Sequence, residues 1–149
     1  MKLDQKDLVI LNLLQEDSSL STRAIAKKVL LPITTVHNRV KKLRQGGIIK
    51  KYTVEVDHKK IGNNITAYIL LKLEYKAILR KEESSQFDLA SIVRRLRQVR
   101  HFNYVTGPYD AVIFARFKDI DDLNTFVTGQ LCKIDGVKDT ITFLVLKEG

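Results

Sequence analysis

A single cysteine, no tryptophan, two prolines and seven glycines stand among the 149 residues of this chain. Cys132, being alone, allows neither an internal disulfide nor a cysteine-built metal cage, and this usage suits a reducing cytoplasm. The longest uninterrupted apolar runs are five residues, Ala67–Leu71 and Ala111–Ala115. A membrane span needs ~20, so none is expected. The opening segment, residues 1–7, alternates in charge and has no apolar signal core, which argues against export. Scarce proline and glycine, with 44% apolar and 29% charged residues, exclude a disordered or fibrous chain. Catalytic signatures are missing too. The three histidines, His37, His58 and His101, are scattered, and there is no paired-carboxylate motif, glycine-rich phosphate loop or His-x-x-x-His. Neither an enzyme nor a bound metal or other cofactor is expected.

Acid is absent from the whole stretch between Ser18 and Val54. That stretch carries Arg23, Lys27, Lys28, Arg39, Lys41, Lys42, Arg44, Lys50 and Lys51. Over the chain 26 Lys+Arg oppose 17 Asp+Glu, a formal net charge of +9. Residues 1–62 account for +7 of this and residues 63–149 for +2. A solvated face normally interleaves both signs. Cations without anions repel one another, and a phosphate backbone relieves that repulsion. Charge alone does not separate DNA from RNA or an anionic membrane.

Helical spacing fills the first fifty residues. Asp4 reads as an N-cap, with Asp7 adding favourable charge to the first turn. Leu8, Leu11 and Leu14, backed by Ile10, make an apolar stripe as far as Asp17. Ser21 or Thr22 caps a second helix with Ile25 and Val29 inward. Pro32 then disfavours helix at Leu31 and forces a break. A third helix runs from about Ile33 to Gln45 and closes at Gly46-Gly47. Three helices with a short turn between the last two match the helix-turn-helix pattern.

On that third helix Val36, Val40 and Leu43 cluster on one side and face the core. Thr34, Asn38 and Lys41 fall opposite, with Lys42 beside them and Thr35, His37 and Arg39 on the flanks. The start of a recognition helix meets base edges, where Asn can pair with adenine and Thr can touch a thymine methyl. Arg39, Lys42 and Arg44 suit phosphates, as do Ser21, Thr22 and Arg23 at the opening of the preceding helix, and Lys41 counts among the DNA-binding residues. A plain solvated face is the competing account of Thr34, Asn38 and His37. Residues Ile48–Val56 read as a strand, and Asp57–Gly62 as a joint. The expected division is a helix-turn-helix domain over 1–50, a linking strand and hinge over 51–62, and a second domain over 63–149.

The second domain alternates differently. Asn64–Tyr75 reads as a strand, and Ser84 or Ser85 caps a helix carrying Leu89, Ile92, Val93, Leu96 and Val99. Phe102–Thr106 and Asp110–Phe117 form strands around a turn at Gly107-Pro108-Tyr109. Asp119 caps a helix with Leu123, Phe126, Val127 and Leu131 inward, where Cys132 reads as a small buried filler. Val137–Lys147 is the last strand. Strand, helix, strand, strand, helix, strand is the ferredoxin-like order, so the fold class is α+β. Several strands are apolar on both faces, and the face without helices needs a partner, most simply a second copy of itself. A homodimer also supplies two helix-turn-helix units for paired half-sites.

With these pieces in order, the whole chain resembles the Lrp/AsnC family of transcription regulators. The resemblance rests on Leu3-Asp4-Gln5-Lys6-Asp7, on Arg39-Val40-Lys41-Lys42-Leu43 followed by Gly47-Ile48-Ile49, and on Val105-Thr106-Gly107-Pro108-Tyr109-Asp110. Asp135-Gly136-Val137 and Leu144-Val145-Leu146-Lys147 complete it. It implies a winged helix-turn-helix reading double-stranded DNA and a C-terminal ferredoxin-like (RAM) domain that dimerises. Assembly into octamers or related rings, and sensing of an amino acid between dimers, are also implied. On that analogy Gly107, Tyr109 and Asp110 would hold the effector, Asp110 pairing with an α-ammonium. A simple hairpin turn, with Asp110 bonded to nearby backbone, accounts for the same residues.

Two other functions stay open at this level. Some AsnC-like proteins decarboxylate sirohaem-type tetrapyrroles, for which His101 with Arg97 or Arg100 is the available combination. The acid-free segment also suits a non-specific, chromatin-like coat on DNA. The long charged connection Lys76–Gln86 adds Arg80 and Lys81 to Arg94, Arg95, Arg97 and Arg100, as a solvated face, a DNA-wrapping surface or a partner site.

Overall fold

The structure, a computed structural model, describes residues 2–74 and 89–147. The chain divides into two compact units, Met1–Val56 and Asp57–Gly149.

The first unit is built from α1 (Gln5–Glu16), α2 (Thr22–Val29) and α3 (Ile33–Gln45). Asp4 caps α1 through a reciprocal box: its carboxylate accepts from the Asp7 N–H, and the Asp7 carboxylate accepts from the Asp4 N–H. Ser21 caps α2 by accepting from the Ala24 N–H. Its other end is closed by Lys6, whose Nζ donates to the Val29 carbonyl at 3.0 Å. Gly46 and Gly47 end α3, and Gly47 takes a φ of +70° that a side chain would resist. Ile10, Ile25, Val29, Val36 and Leu43 form the buried core, with Leu11, Leu13, Leu14 and Val40 packed against it.

Two expectations for this unit need correction. Leu8 is 44% exposed, and the inward stripe of α1 centres on Ile10, because α2 and α3 cover only that side. Residues 48–56 form no strand, since no neighbouring strand among the described residues completes their hydrogen bonds. Ile48 and Ile49 instead donate backward to the Leu43 carbonyl and finish the helix end.

The second unit holds β1 (Ile65–Leu73), α4 (Leu89–Arg94), β2 (Val99–Tyr104), β3 (Ala111–Phe117), α5 (Ile120–Asn124) and β4 (Val137–Leu144). A π turn (Thr125–Gln130) and a 3-10 turn (Leu131–Lys133) continue α5. The four strands run β2-β3-β1-β4, each antiparallel to its neighbour, which is the ferredoxin-like sheet. Alternate residues Ala67, Ile69, Leu71 and Ala111, Ile113, Ala115, Phe117 turn to one face and are covered by Leu89, Val93, Phe126 and Leu131. Asp119 caps α5 by accepting from the Asp122 N–H.

Here too the boundaries shift. Val99 belongs to β2, paired opposite Ala115, so the helix before it is shorter than its apolar spacing implied. Cys132 is exposed, since the 3-10 turn that carries it rotates it away from Leu131. The proposed Ser84 or Ser85 cap and the connection Lys76–Gln86 lie outside the described residues.

Candidate nucleic-acid interface

The start of α2 and the outward side of α3 share one concave surface, lined by Thr22, Ile33, Thr34, His37 and Asn38. Pro32 offers no side-chain cap to α3, and the first helical bond there runs from the Val36 N–H to the Pro32 carbonyl. The preceding amides of the first turn therefore point outward with the positive end of the helix dipole. At α2 the first such bond is from Ile25 to the Ser21 carbonyl, leaving the Thr22 and Arg23 amides facing out. Two helix openings of this kind are suited to anionic oxygens.

Val36 and Leu43 are fully buried, and this sets the roll of α3. Thr34, His37, Asn38, Lys41 and Lys42 are exposed, while Thr35 is half-buried. Arg23 is exposed beside them, and Lys27 and Lys28 occupy the last turn of α2. The Arg44 guanidinium lies over the Tyr52 ring, 5.7 Å from its centroid. The exposed Ser21 Oγ accepts the Ala24 N–H as the α2 cap, which leaves its O–H proton to donate elsewhere.

Arg39 differs most from expectation. Its Nη1 donates to Asp4 Oδ2 and to Asp7 Oδ1, both at 2.7 Å. The guanidinium is thereby held against α1 within the unit, half-buried and paired with two carboxylates. Asp4 is held below its ordinary value of 3.8, first by the Asp7 amide and then by Arg39. Arg39 is raised above its ordinary value by the same two carboxylates.

Ile33 lines this surface as well, a position its helical spacing does not single out. Helical geometry puts it roughly 60° from Val36, at the edge of the core stripe. It is nevertheless 46% exposed, since no element among the described residues covers the first turn of α3 on that side. The clue was available in Pro32: a helix opening without a polar cap leaves the next side chain to define its tip.

In the second unit, Gly107, Tyr109 and Asp110 lie in the turn between β2 and β3. Gly107 is exposed at φ +132°. The Asp110 carboxylate accepts from the Leu73 N–H at 2.8 Å and faces Lys72 Nζ at 3.6 Å. Lys72 Nζ also donates to the Pro108 carbonyl at 3.0 Å. One residue further, the Glu74 N–H donates to the Gly136 carbonyl. The turn and the Gly136 segment thus meet at the same end of β1. His101 stacks on Phe114 with centroids 5.9 Å apart on the sheet face away from the helices, and Arg97 and Arg100 are exposed. Among the described residues no group of three or more His, Cys, Asp or Glu is placed to hold a metal ion. No helix among them is long and apolar enough to cross a membrane.

Comparison with known proteins bears on both units. Residues 3–50 match the winged helix-turn-helix DNA-binding family model, and residues 66–148 match the Lrp/AsnC ligand binding domain. An uncharacterised HTH-type transcriptional regulator of Pyrococcus furiosus is 39% identical over 147 residues, covering 99% of this chain and 93% of the relative. A Neisseria meningitidis transcriptional regulator solved in complex with L-methionine is 28% identical, with a TM-score of 0.89 over 99% of this chain and 92% of that one. AsnC of E. coli is 26% identical, with a TM-score of 0.83 over 99% and 95% of the two chains. A DNA-binding fold joined to a ligand-binding fold of this type leaves one assignment: the chain belongs to the Lrp/AsnC family of DNA-binding transcriptional regulators.

Proposed function

We propose that the chain acts as a homo-oligomer that binds chosen DNA sequences, with residues 1–50 reading DNA and residues 63–149 handling assembly and effector. The carrying observation is the concave surface on which Thr22, Thr34, His37 and Asn38 converge beside the exposed Arg23, Lys41 and Lys42. Thr34, His37 and Asn38 present groups able to bond base edges. Arg23, Lys41, Lys42 and the amides opening α2 supply the phosphate contacts. Arg39 acts one step removed, by holding α3 on α1. The work of such a protein is done on cytoplasmic DNA, without catalysis.

The sheet face away from the helices supports pairing with a second copy. Tyr68 is 46% exposed and Phe143 54% exposed, and the two are cross-strand neighbours with Phe114 opposite Tyr68. An apolar patch of this kind is costly in water and complementary to itself across a twofold axis.

The same reading assigns effector binding to the end of β1. The relative from Neisseria meningitidis was solved with L-methionine. In this chain the Gly107–Asp110 turn and the Gly136 segment converge, and Lys72 stands ready to compete for any α-carboxylate. An amino acid is the ligand class that fits this reading.

Selection of bound duplexes from a random pool, repeated with and without amino acids, tests all three parts. A consensus that shifts or tightens with one amino acid is expected. A ratio of selected to random affinity near one would instead favour a non-specific coat on DNA.

A further inference from the structure

We propose that Ile33 is a base-reading residue, taking the C5-methyl group of one thymine in each half-site. The proposal rests on the DNA-reading surface above and adds an apolar contact to its hydrogen-bonding ones. Ile33 is the first residue of α3 and is 46% exposed. It lines two concave surfaces at once, one shared with Thr34, His37 and Asn38, the other with Arg23 and Lys27 beside the turn. An isoleucine left half in water at a helix tip forgoes the stabilisation its burial would bring. Toward the turn it adjoins Leu30, Leu31 and Pro32, but on the other side its neighbours are the polar Thr22, Thr34, His37 and Asn38, so on that side it is the apolar member of the surface.

Such a spot matches what the major groove offers. The one apolar group on its floor is the thymine methyl. The residues that reach base edges are those at the start of the recognition helix. Pro32 strengthens the case, because it places no polar side chain at the tip of α3 to compete for the same base. Isoleucine is also stiff at its first side-chain torsion in a helix, so little freedom is lost on contact.

The test uses the full chain and a duplex selected from a random pool. Each thymine in turn is replaced by 2′-deoxyuridine, which removes the methyl and keeps every hydrogen-bonding group. Burial of one methyl predicts a loss of about fourfold in affinity at one thymine per half-site. Ile33→Ala should bind the thymine and deoxyuridine duplexes equally, while Thr34→Ser should keep the wild-type preference. Ile33→Val should give an intermediate loss, which reads the same contact if the alanine variant folds poorly. The inference is overturned if no thymine is sensitive, if Ile33→Ala keeps the full sensitivity, or if Thr34→Ser abolishes it. Each of those results leaves sequence-specific binding intact. Failure to bind any duplex selectively would overturn the DNA-reading surface itself, and the inference with it.

Discussion

Arg39 Nη1 lies 2.7 Å from Asp4 Oδ2 and 2.7 Å from Asp7 Oδ1, so one guanidinium clasps both members of the capping box that opens the first helix. The recognition helix is therefore anchored by a cation drawn from the same acid-free stretch that supplies the DNA-facing charge. Arg39→Ala should lower the melting temperature but leave the slope of log affinity against log salt unchanged. Lys42→Ala should do the reverse, weakening all duplexes alike and reducing that slope by about 0.9 per lost phosphate contact. Equal changes of slope in the two variants would return Arg39 to the phosphate-contacting set.

Acid should loosen the same junction. The Asp4 carboxyl sits below its ordinary 3.8 because the Asp7 amide and Arg39 favour its charged form. A depressed carboxylate contributes stability above its unfolded value, and that contribution is lost as pH falls through the folded value. Thermal melts of the full chain should therefore show stability falling below about pH 4, with a shallower fall in Asp4→Asn. Parallel profiles for the two proteins would show that the clasp carries no proton linkage.

Leu30 closes α2 in the left-handed region, at φ 54°, with its side chain 86% exposed. The strain of a leucine there is about 1 kcal/mol and little side-chain packing is at stake. Leu30→Gly should raise the unfolding free energy by up to about 1 kcal/mol, measured by urea denaturation. A loss of stability would mean that Leu30 packs more than its exposure shows.

The Asp110 carboxylate accepts the Leu73 N–H at the end of the central strand. Asp110→Ala leaves that amide without its acceptor and should cost about 1–2 kcal/mol in denaturant titrations. Asp110→Asn keeps an acceptor oxygen and should cost less. If an amino acid binds at this turn, calorimetry should show its affinity reduced in both variants, since both remove the charge that pairs with an α-ammonium. Undiminished affinity in Asp110→Asn would place the ammonium elsewhere.

Phe143 and Tyr68 face each other across β4 and β1 on the exposed side of the sheet. Phe143→Lys with Tyr68→Lys should convert the oligomer to a monomer by sedimentation velocity, because like charges would be buried at a self-paired face. DNA affinity should then fall steeply, as two half-sites could no longer be held together. An unchanged sedimentation coefficient would locate the interface elsewhere.

Much of the fold is legible at short range. Asp4, Ser21 and Asp119 cap their helices where capping chemistry expects, and Gly46-Gly47 end the third one. Val36 and Leu43 are inward because three-and-four spacing leaves α3 no other apolar side. The misreadings occur where a distant element decides. Val99 fits a helical stripe, but the backbone of Ala115 pairs with it and draws it into the sheet. Ile48–Val56 has strand-like composition, yet no strand among the described residues receives it. Arg39 looked like one more cation in a row until Asp4 and Asp7, more than thirty residues earlier, came to rest against it.

Composition and periodicity are enough to assign the helix-turn-helix, the ferredoxin-like order and the +7 concentrated in residues 1–62. Each depends on neighbours within a few positions, and the physics of caps, turns and amphipathic faces is local. Which of the cations are paired within the chain, that the Asp110 carboxylate meets the Leu73 amide, and that Ile33 shares a concave surface with Thr34, His37 and Asn38 emerge on folding. Those outcomes depend on which atoms packing brings within bonding distance, and sequence spacing carries no measure of that distance.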